Sequence, residues 1–179
     1  MWNTIKGVTV ESLGDNRFIF YFHSNIDKKR ILRAGPWHFN NSLIALVEPQ
    51  GAGDISKIHF TKTLFWVQIH NSPIVCMNKE TWLALGKLIG EVEEVDSGQT
   101  GECFDRFIRV RVHINITQPL QRVLVGKLFV DEEDVIMLPL LYERLPKFCY
   151  YSAWLVMLTR IARLCPTMQK KKILAMARG

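Results

Sequence analysis

The side chains best placed to contact a ligand lie along one alternating stretch, Arg106 to Thr117. Successive side chains of a β-strand point to opposite faces, so the apolar residues here face inward and the others outward. The outward set, spaced roughly 6.6 Å apart along the strand, is Phe107, Arg109, Arg111 and His113. An aromatic ring beside cations on an exposed sheet face is typical of proteins that hold single-stranded nucleic acid by stacking and phosphate contact. This pattern predicts a nucleic-acid-binding face.

The same stretch has a second interpretation that needs no ligand. Antiparallel strands commonly keep one wet, polar side. The acids Glu91, Glu93 and Glu94 fall in a neighbouring predicted strand and would then pair with the arginines. Both interpretations remain open from the sequence.

The C-terminal segment holds the whole excess of positive charge. Residues 1–60 carry 7 basic and 5 acidic side chains, residues 61–147 carry 10 and 12, and residues 148–179 carry 6 and none. Lys170, Lys171 and Lys172 are therefore predicted to attract phosphate without sequence preference and with steep salt dependence. A basic terminus without a binding role is the alternative.

No enzymatic signature is present. The sequence lacks G-x-S-x-G and G-x-x-x-x-G-K-[ST], and none of its five histidines has a histidine partner three or four residues away. His70 is expected to form a hydrogen bond at a strand end. The acids Asp131 to Asp134 are ligands that Mg²⁺ accepts, but apolar strands flank them, so a solvated turn is predicted. We expect neither an enzyme nor a small-molecule substrate.

Composition indicates a protein of the cell interior. The 179 residues include four cysteines, too few for a disulfide scaffold, and no leading signal peptide is recognisable. The longest apolar run, Phe148 to Leu158, falls short of the ~20 residues that span a bilayer. We therefore expect localisation in the nucleus or cytoplasm, with no membrane partner.

The first fifty residues predict a hairpin, a helix and a strand. Alternating apolar residues flank the turn near Asp15, and Ser24 would cap a helix whose Ile26, Ile31 and Leu32 face a core. This order is one strand and one helix short of a split β-α-β-β-α-β unit. An N-terminal truncation that leaves a sheet edge open is one explanation. A three-stranded unit completed by the second half is the other.

The remaining chain predicts a second sheet-led unit. A strand over 64–70, a helix capped by Asn78, the stretch 106–117 and a closing hairpin follow in order. The predicted organisation is α+β, as a shortened split β-α-β-β-α-β-like unit over 1–50, a linker over 51–62 and a second small α+β unit over 63–147. A basic, loosely attached tail would follow over 148–179, with a helix near residues 153–164.

Six stretches together resemble a plant domain family of unknown function, the DUF4283-type domain. That family precedes a zinc knuckle in proteins of LINE-type retrotransposons, and the resemblance implies nucleic-acid binding without catalysis. The stretches are Lys6 to Phe22, Arg30 to Phe39, Phe65 to Ile74, Leu85 to Asp96, Phe107 to Leu120 and Tyr142 to Tyr151.

The zinc knuckle that the resemblance implies is not preserved. The family continues as C-x2-C-x4-H-x4-C, and only Cys149 matches a ligand position, with Ser152 where the second cysteine would stand. A structural zinc site needs about four protein ligands, so we expect no cofactor. A shifted reading frame would restore cysteines near 152 and 161 and a histidine near 156, so residues 152–179 are interpreted as a frameshifted tail.

The sequence thus predicts an accessory protein of a plant retrotransposon that binds RNA or single-stranded DNA, in a partial or decayed form. A protein-interaction or self-association domain, or a fragment without function, is the alternative.

Overall fold

The computed structural model describes residues 2–14, 16–49, 58–96, 107–126, 135–149, 151–155 and 174–178. The chain divides into two compact units, Met1–Thr63 with Pro146–Gly179, and Leu64–Leu145. Each unit combines a helix with a β-sheet, which confirms the predicted α+β class. Within the described ranges, no helix has both the length and the apolar character needed to cross a bilayer.

The first unit begins with the predicted hairpin and helix. Strands β1 (Val8–Gly14) and β2 (Arg17–Phe22) pair antiparallel, with Val8 opposite Phe22. Helix α1 (Asn25–Arg33) follows, and the Ser24 hydroxyl accepts a hydrogen bond from the Asp27 backbone N–H at 3.5 Å. Such a bond satisfies one of the amide groups that a helix start leaves without a partner, so the predicted cap is confirmed.

Asp27 fastens the segment before β1 to α1. Its side chain is fully buried, and Oδ2 accepts from the backbone N–H of Ile5 at 2.8 Å and of Lys6 at 3.4 Å. Arg30 donates to Asp27 Oδ1 at 2.9 Å and also to the Asn3 carbonyl. A buried carboxylate is tolerated only when it is hydrogen-bonded or paired, and both conditions hold here.

The core of the first unit lies between α1 and the β1–β2 hairpin. Ile31 is buried as predicted, but the prediction for Ile26 is wrong, because that side chain is 71% exposed. Five residues separate the two, which places them about 140° apart around a helix. The buried cluster is Phe20, Phe22, Ile31 and Ile44, surrounded by Trp2, Val8, Phe18, Leu32, Trp37 and Leu46.

A second hairpin replaces the single strand predicted over residues 42–49. Strands β3 (Trp37–Phe39) and β4 (Ser42–Ile44) pair antiparallel, and β5 is Leu46–Val47. Asn40 and Asn41 form the turn with φ of 48° and 60°. Asparagine enters this left-handed region more readily than other residues with a Cβ, so the pair was a turn signal that the sequence analysis missed.

The four-stranded sheet of the first unit is completed by a strand from the C-terminal segment. Strand β11 (Leu174–Arg178) lies between β2 and β5 and is parallel to both, giving the order β1-β2-β11-β5. This strand was not predicted, since residues 148–179 were expected to form a loosely attached tail. The helix predicted near residues 153–164 lies largely outside the described residues, because residues 156–173 are not described.

The second unit is built on a five-stranded sheet. Its order is β7-β8-β6-β10-β9, and the members are β6 (Lys62–His70), β7 (Glu91–Val95), β8 (Phe107–Asn115), β9 (Val123–Gly126) and β10 (Ile136–Tyr142). The predicted inward residues of β8 are all buried: Ile108, Val110, Val112, Ile114 and, just past its end, Ile116. Strands β9 and β10 pair antiparallel, as a closing hairpin requires, but residues 127–134, which include the predicted acidic turn, are outside the described residues.

Helix α2 (Lys79–Ile89) packs very closely on the inward face of this sheet. Asn78 caps it as predicted, accepting from the Thr81 N–H at 2.9 Å. A Cβ added at Gly86 would lie 2.7 Å from a Val92 methyl group, and one at Gly90 would lie 2.5 Å from the His113 carbonyl oxygen. The helix therefore covers the Val92 face, and the outward side chains of β8 occupy the opposite face.

Candidate functional site

The outward face of the five-stranded sheet brings the four predicted residues of β8 beside three residues of β6. Trp66, Gln68 and His70 alternate with inward residues along β6, and all three are partly exposed. The strands β6 and β8 are neighbours in the sheet. We call the resulting surface the outer face, defined by Trp66, Gln68, His70, Phe107, Arg109, Arg111 and His113.

Arg109 is held by two carboxylates. Its Nε donates to Glu143 Oε1 at 2.7 Å and its Nη2 to Glu143 Oε2 at 2.8 Å, while Nη1 donates to Asp96 Oδ2 at 2.8 Å. The hydrogen bonds that Arg109 donates to Glu143, followed by the one it donates to Asp96, raise the pKa of Arg109. The Arg109 bonds are likewise the main reason that the pKa of Glu143 is lowered. A bidentate arginine–carboxylate pair is among the strongest polar contacts in proteins.

The Arg109 guanidinium also lies over the Trp66 ring, with Cζ 4.1 Å from the ring centroid. Glu143 follows β10 directly and additionally accepts from Gln68 Nε2 at 2.9 Å. The strand β6 lies between β8 and β10. Arg109 on β8 therefore reaches across β6 to bind Glu143, which follows β10. This contact braces three strands, and its donors are committed to carboxylates.

Arg111 and His113 each have a carboxylate nearby as well. The prediction that Arg111 is exposed is wrong, because this residue is buried, whereas His113 is partly exposed. Arg111 Nη1 is 4.0 Å from Glu94 Oε2, and the guanidinium carbon is 5.3 Å from the Trp66 centroid. His113 Nε2 is 2.8 Å from Glu93 Oε2. The alternative interpretation of the sequence, in which the β7 acids pair with the β8 arginines, is confirmed for Glu94 with Arg111, whereas Glu93 contacts His113 instead. It did not anticipate Asp96 or Glu143 as the partners of Arg109.

Phe107 and His70 form an aromatic pair at one end of the outer face. Their ring centroids are 5.1 Å apart with an interplanar angle of 35°. His70 Nε2 lies 3.2 Å from Gln68 Oε1, so the expected strand-end hydrogen bond is present. Trp66 falls in the strand predicted over 64–70, but it was not singled out as a surface residue. Gln68 and His70 follow Trp66 at two-residue spacing, so their polarity could have indicated that this side of the strand is exposed.

The same side of the sheet carries exposed apolar side chains on β9 and β10. Val125, Met137 and Leu141 are 64%, 61% and 55% exposed. Val125 is paired with Met137 across the two strands, and Leu141 is opposite Gln68 of β6. We call these three residues the apolar stripe. Sequence reasoning did not single them out, since their exposure depends on which face α2 covers.

The residues available around Cys149 do not fit the zinc knuckle that the resemblance implies. The Cys149 N–H donates to the Trp154 carbonyl at 3.0 Å, and its own carbonyl accepts from Ala153 at 2.8 Å, closing a turn. Among the residues with described positions, no three His, Cys, Asp or Glu side chains are grouped as metal ligands. The sequence predictions for Lys170, Lys171, Lys172 and for Asp131 to Asp134 lie outside those residues and stay predictions.

Comparison with known proteins supports the resemblance over part of the chain. Residues 1–48 match the model of a domain of unknown function (DUF4283). The chain is 25% identical over 124 residues to an uncharacterized protein of Arabidopsis thaliana, At4g02000, an alignment that covers 69% of this chain and 38% of that protein. The chain therefore spans less than half the length of this relative. No solved structure matches.

Proposed function

We propose that this chain is a nucleic-acid-binding accessory protein of a plant retrotransposon and that it binds RNA or single-stranded DNA on the outer face, with no catalytic step and no zinc. The observation that supports the proposal is the grouping of Phe107, His70 and Trp66 with the cations of β8 on one sheet face. Bases stack on exposed aromatic rings with little sequence preference, and adjacent cations hold the backbone.

The contacts assign different parts to the residues of the outer face. Arg109 braces the sheet, so its donors are not offered to a phosphate. His113 is the better candidate for phosphate contact, because its side chain is partly exposed and a phosphate can compete with the exposed Glu93 for it. The Arg111 side chain is only 11% exposed, so a phosphate does not reach it in this arrangement. Phe107 with His70 provides the stacking surface. This assignment of roles predicts weak binding, because a phosphate must first displace the carboxylate that His113 already contacts.

Salt dependence separates this face from the lysines of the C-terminal segment. Each phosphate contact to a single strand contributes a slope of about −0.7 to the dependence of log affinity on log salt. One contact, from His113, would lose about 3-fold in affinity between 50 and 200 mM salt. Adding Lys170, Lys171 and Lys172 would raise the loss to about 50-fold.

The test is fluorescence anisotropy of a labelled single-stranded RNA with the full chain at both salt concentrations. Phe107→Ala should weaken binding by about 10-fold, as expected for a lost stacking surface. Leu141→Ala is the matched control, because it removes apolar surface from the same side of the sheet without touching the aromatic pair. Equal affinity of the Phe107→Ala variant and the wild type would refute the proposal.

A second function, self-association, is favoured by the apolar stripe. Exposed apolar side chains that cluster beside charged ones are typical of protein-docking surfaces. A second copy of this chain would bury Val125, Met137 and Leu141. Analytical ultracentrifugation should then show a concentration-dependent dimer that Met137→Asp abolishes while RNA binding persists. A wild-type chain that stays monomeric at ~100 µM, a concentration well above ordinary micromolar dissociation constants, would exclude this second function.

A further inference from the structure

The first unit contains a gap that one added strand fills. Strands β2 and β5 are joined through α1 and the β3–β4 hairpin, and they run parallel, since β11 is parallel to each. They are not neighbours, because the sheet order is β1-β2-β11-β5. Without β11, both strands would present unpaired backbone groups to the same opening, and such edges readily accept another strand.

The pairing of β11 is made by the backbone and has a defined register. Leu174 lies opposite Arg17 and Arg178 opposite Tyr21 on one side. On the other side, Ala175 lies opposite Leu46 and Met176 opposite Val47. Ladder hydrogen bonds of this kind require an extended segment in the correct direction and do not require that segment to belong to the same chain.

The connection between Leu155 and β11 is long enough for β11 to come either from the same chain or from a second copy. Leu155 is fully buried and bridges to Phe148, so the connection to β11 starts from a fixed position. Residues 156–173 could reach at most roughly 60 Å if fully extended. A compact unit of about 100 residues has a radius of gyration of about 13 Å, so this reach extends beyond one unit to a neighbouring molecule.

We propose that the gap between β2 and β5 is a strand-receiving site and that β11 of a second copy of this chain occupies it in an exchanged dimer. The exchanged and unexchanged forms contain the same backbone pairs, so concentration decides between them. The single-chain form dominates until the concentration of a second β11 approaches the effective concentration of the tethered one, which is on the order of millimolar for segments joined in one chain. This surface is distinct from the apolar stripe and from the outer face.

A disulfide trap tests the exchange. One full-length chain carries Tyr21→Cys and another carries Arg178→Cys, a pair directly opposite in the register. The two are refolded together from urea at ~5 µM and at ~0.5 mM, concentrations below and near the effective concentration of the tethered strand, and then oxidised. We expect a cross-linked dimer containing one copy of each variant, at least 10-fold more abundant at the higher concentration. Each variant refolded alone measures the background from the natural thiols.

Two matched chains complete the design. Tyr21→Cys with Arg178→Cys in one chain, at low concentration, should form an intramolecular disulfide. Tyr21→Cys with Ala175→Cys should not, because Ala175 is opposite Phe18, about 10 Å further along the strand. An intramolecular link without any mixed dimer above background at ~0.5 mM would overturn the exchange. Failure of the intramolecular link would overturn the pairing on which the exchange depends.

Discussion

Replacing Arg109 tests whether the outer face is held together by its ion pairs. Arg109→Met keeps an apolar stem over Trp66 but removes the donors to Glu143 and Asp96. Hydrogen bonds to charged groups contribute about 1.5–3 kcal/mol each in protected sites, and the cation–ring contact about 0.5–1 kcal/mol. Both partners keep some solvent access and Glu143 retains Gln68, which reduces the sum. We expect a loss of about 2 kcal/mol in the free energy of unfolding.

The assay is urea unfolding followed by far-ultraviolet circular dichroism. For an m-value of about 1–3 kcal/mol/M, the midpoint should fall by about 1 M. Hydrogen exchange of the β6 and β8 amides assigns the loss to the second unit. Glu93→Gln is the matched control, because it removes an exposed pair with His113 and should change the stability by less than about 0.5 kcal/mol.

A double-mutant cycle with Glu143→Gln isolates the Arg109–Glu143 contact. The coupling between the two positions should be about 1 kcal/mol or more at neutral pH. Since the pKa of Glu143 is lowered by Arg109, this stabilisation is present above the ordinary glutamate range and is lost as the pH falls through the lowered value. A stability of Arg109→Met within about 0.5 kcal/mol of wild type, or a coupling that survives protonation of Glu143, would refute the reasoning.

Three further outcomes follow from contacts elsewhere in the chain. Asp27→Ala should lower the free energy of unfolding, measured by chemical denaturation, by about 2–4 kcal/mol, because it leaves the Ile5 and Lys6 amides without their acceptor. Ser24→Ala, which removes only the helix cap, should lower it by about 1 kcal/mol. Gly90→Ala should lower the thermal midpoint strongly, since the added carbon meets the His113 carbonyl, while Gly126→Ala, which points into open space, should be nearly neutral. Competition with a chromophoric chelator should show less than one equivalent of Zn²⁺ bound at micromolar metal, and stoichiometric binding through Cys149 would contradict the view that its neighbours cannot complete a site.

Local patterns predicted the elements that depend on their own residues. The alternation in β8, the caps at Ser24 and Asn78 and the first hairpin follow from strand periodicity and backbone hydrogen-bond needs, and all were predicted. The placement of β11 was not, because a five-residue strand selected by two distant edges has no signal of its own. Likewise, the sequence indicated cations on one face of β8. It did not indicate that Glu143, which follows a distant strand, would bind Arg109.

The discontinuous make-up of the first unit has a consequence for how the protein is synthesised. Residues 64–145 of the second unit are contiguous, whereas the first unit draws on residues both before and after them. A chain emerging from the ribosome at ≈ 5–20 residues per second exposes β2 long before β11. The second unit can therefore complete its contacts during translation, while the β2–β5 gap must wait. Any β11 that fills this gap before the chain's own β11 is available must come from a copy that is already complete, so the local concentration of finished chains becomes a determinant of the folded product.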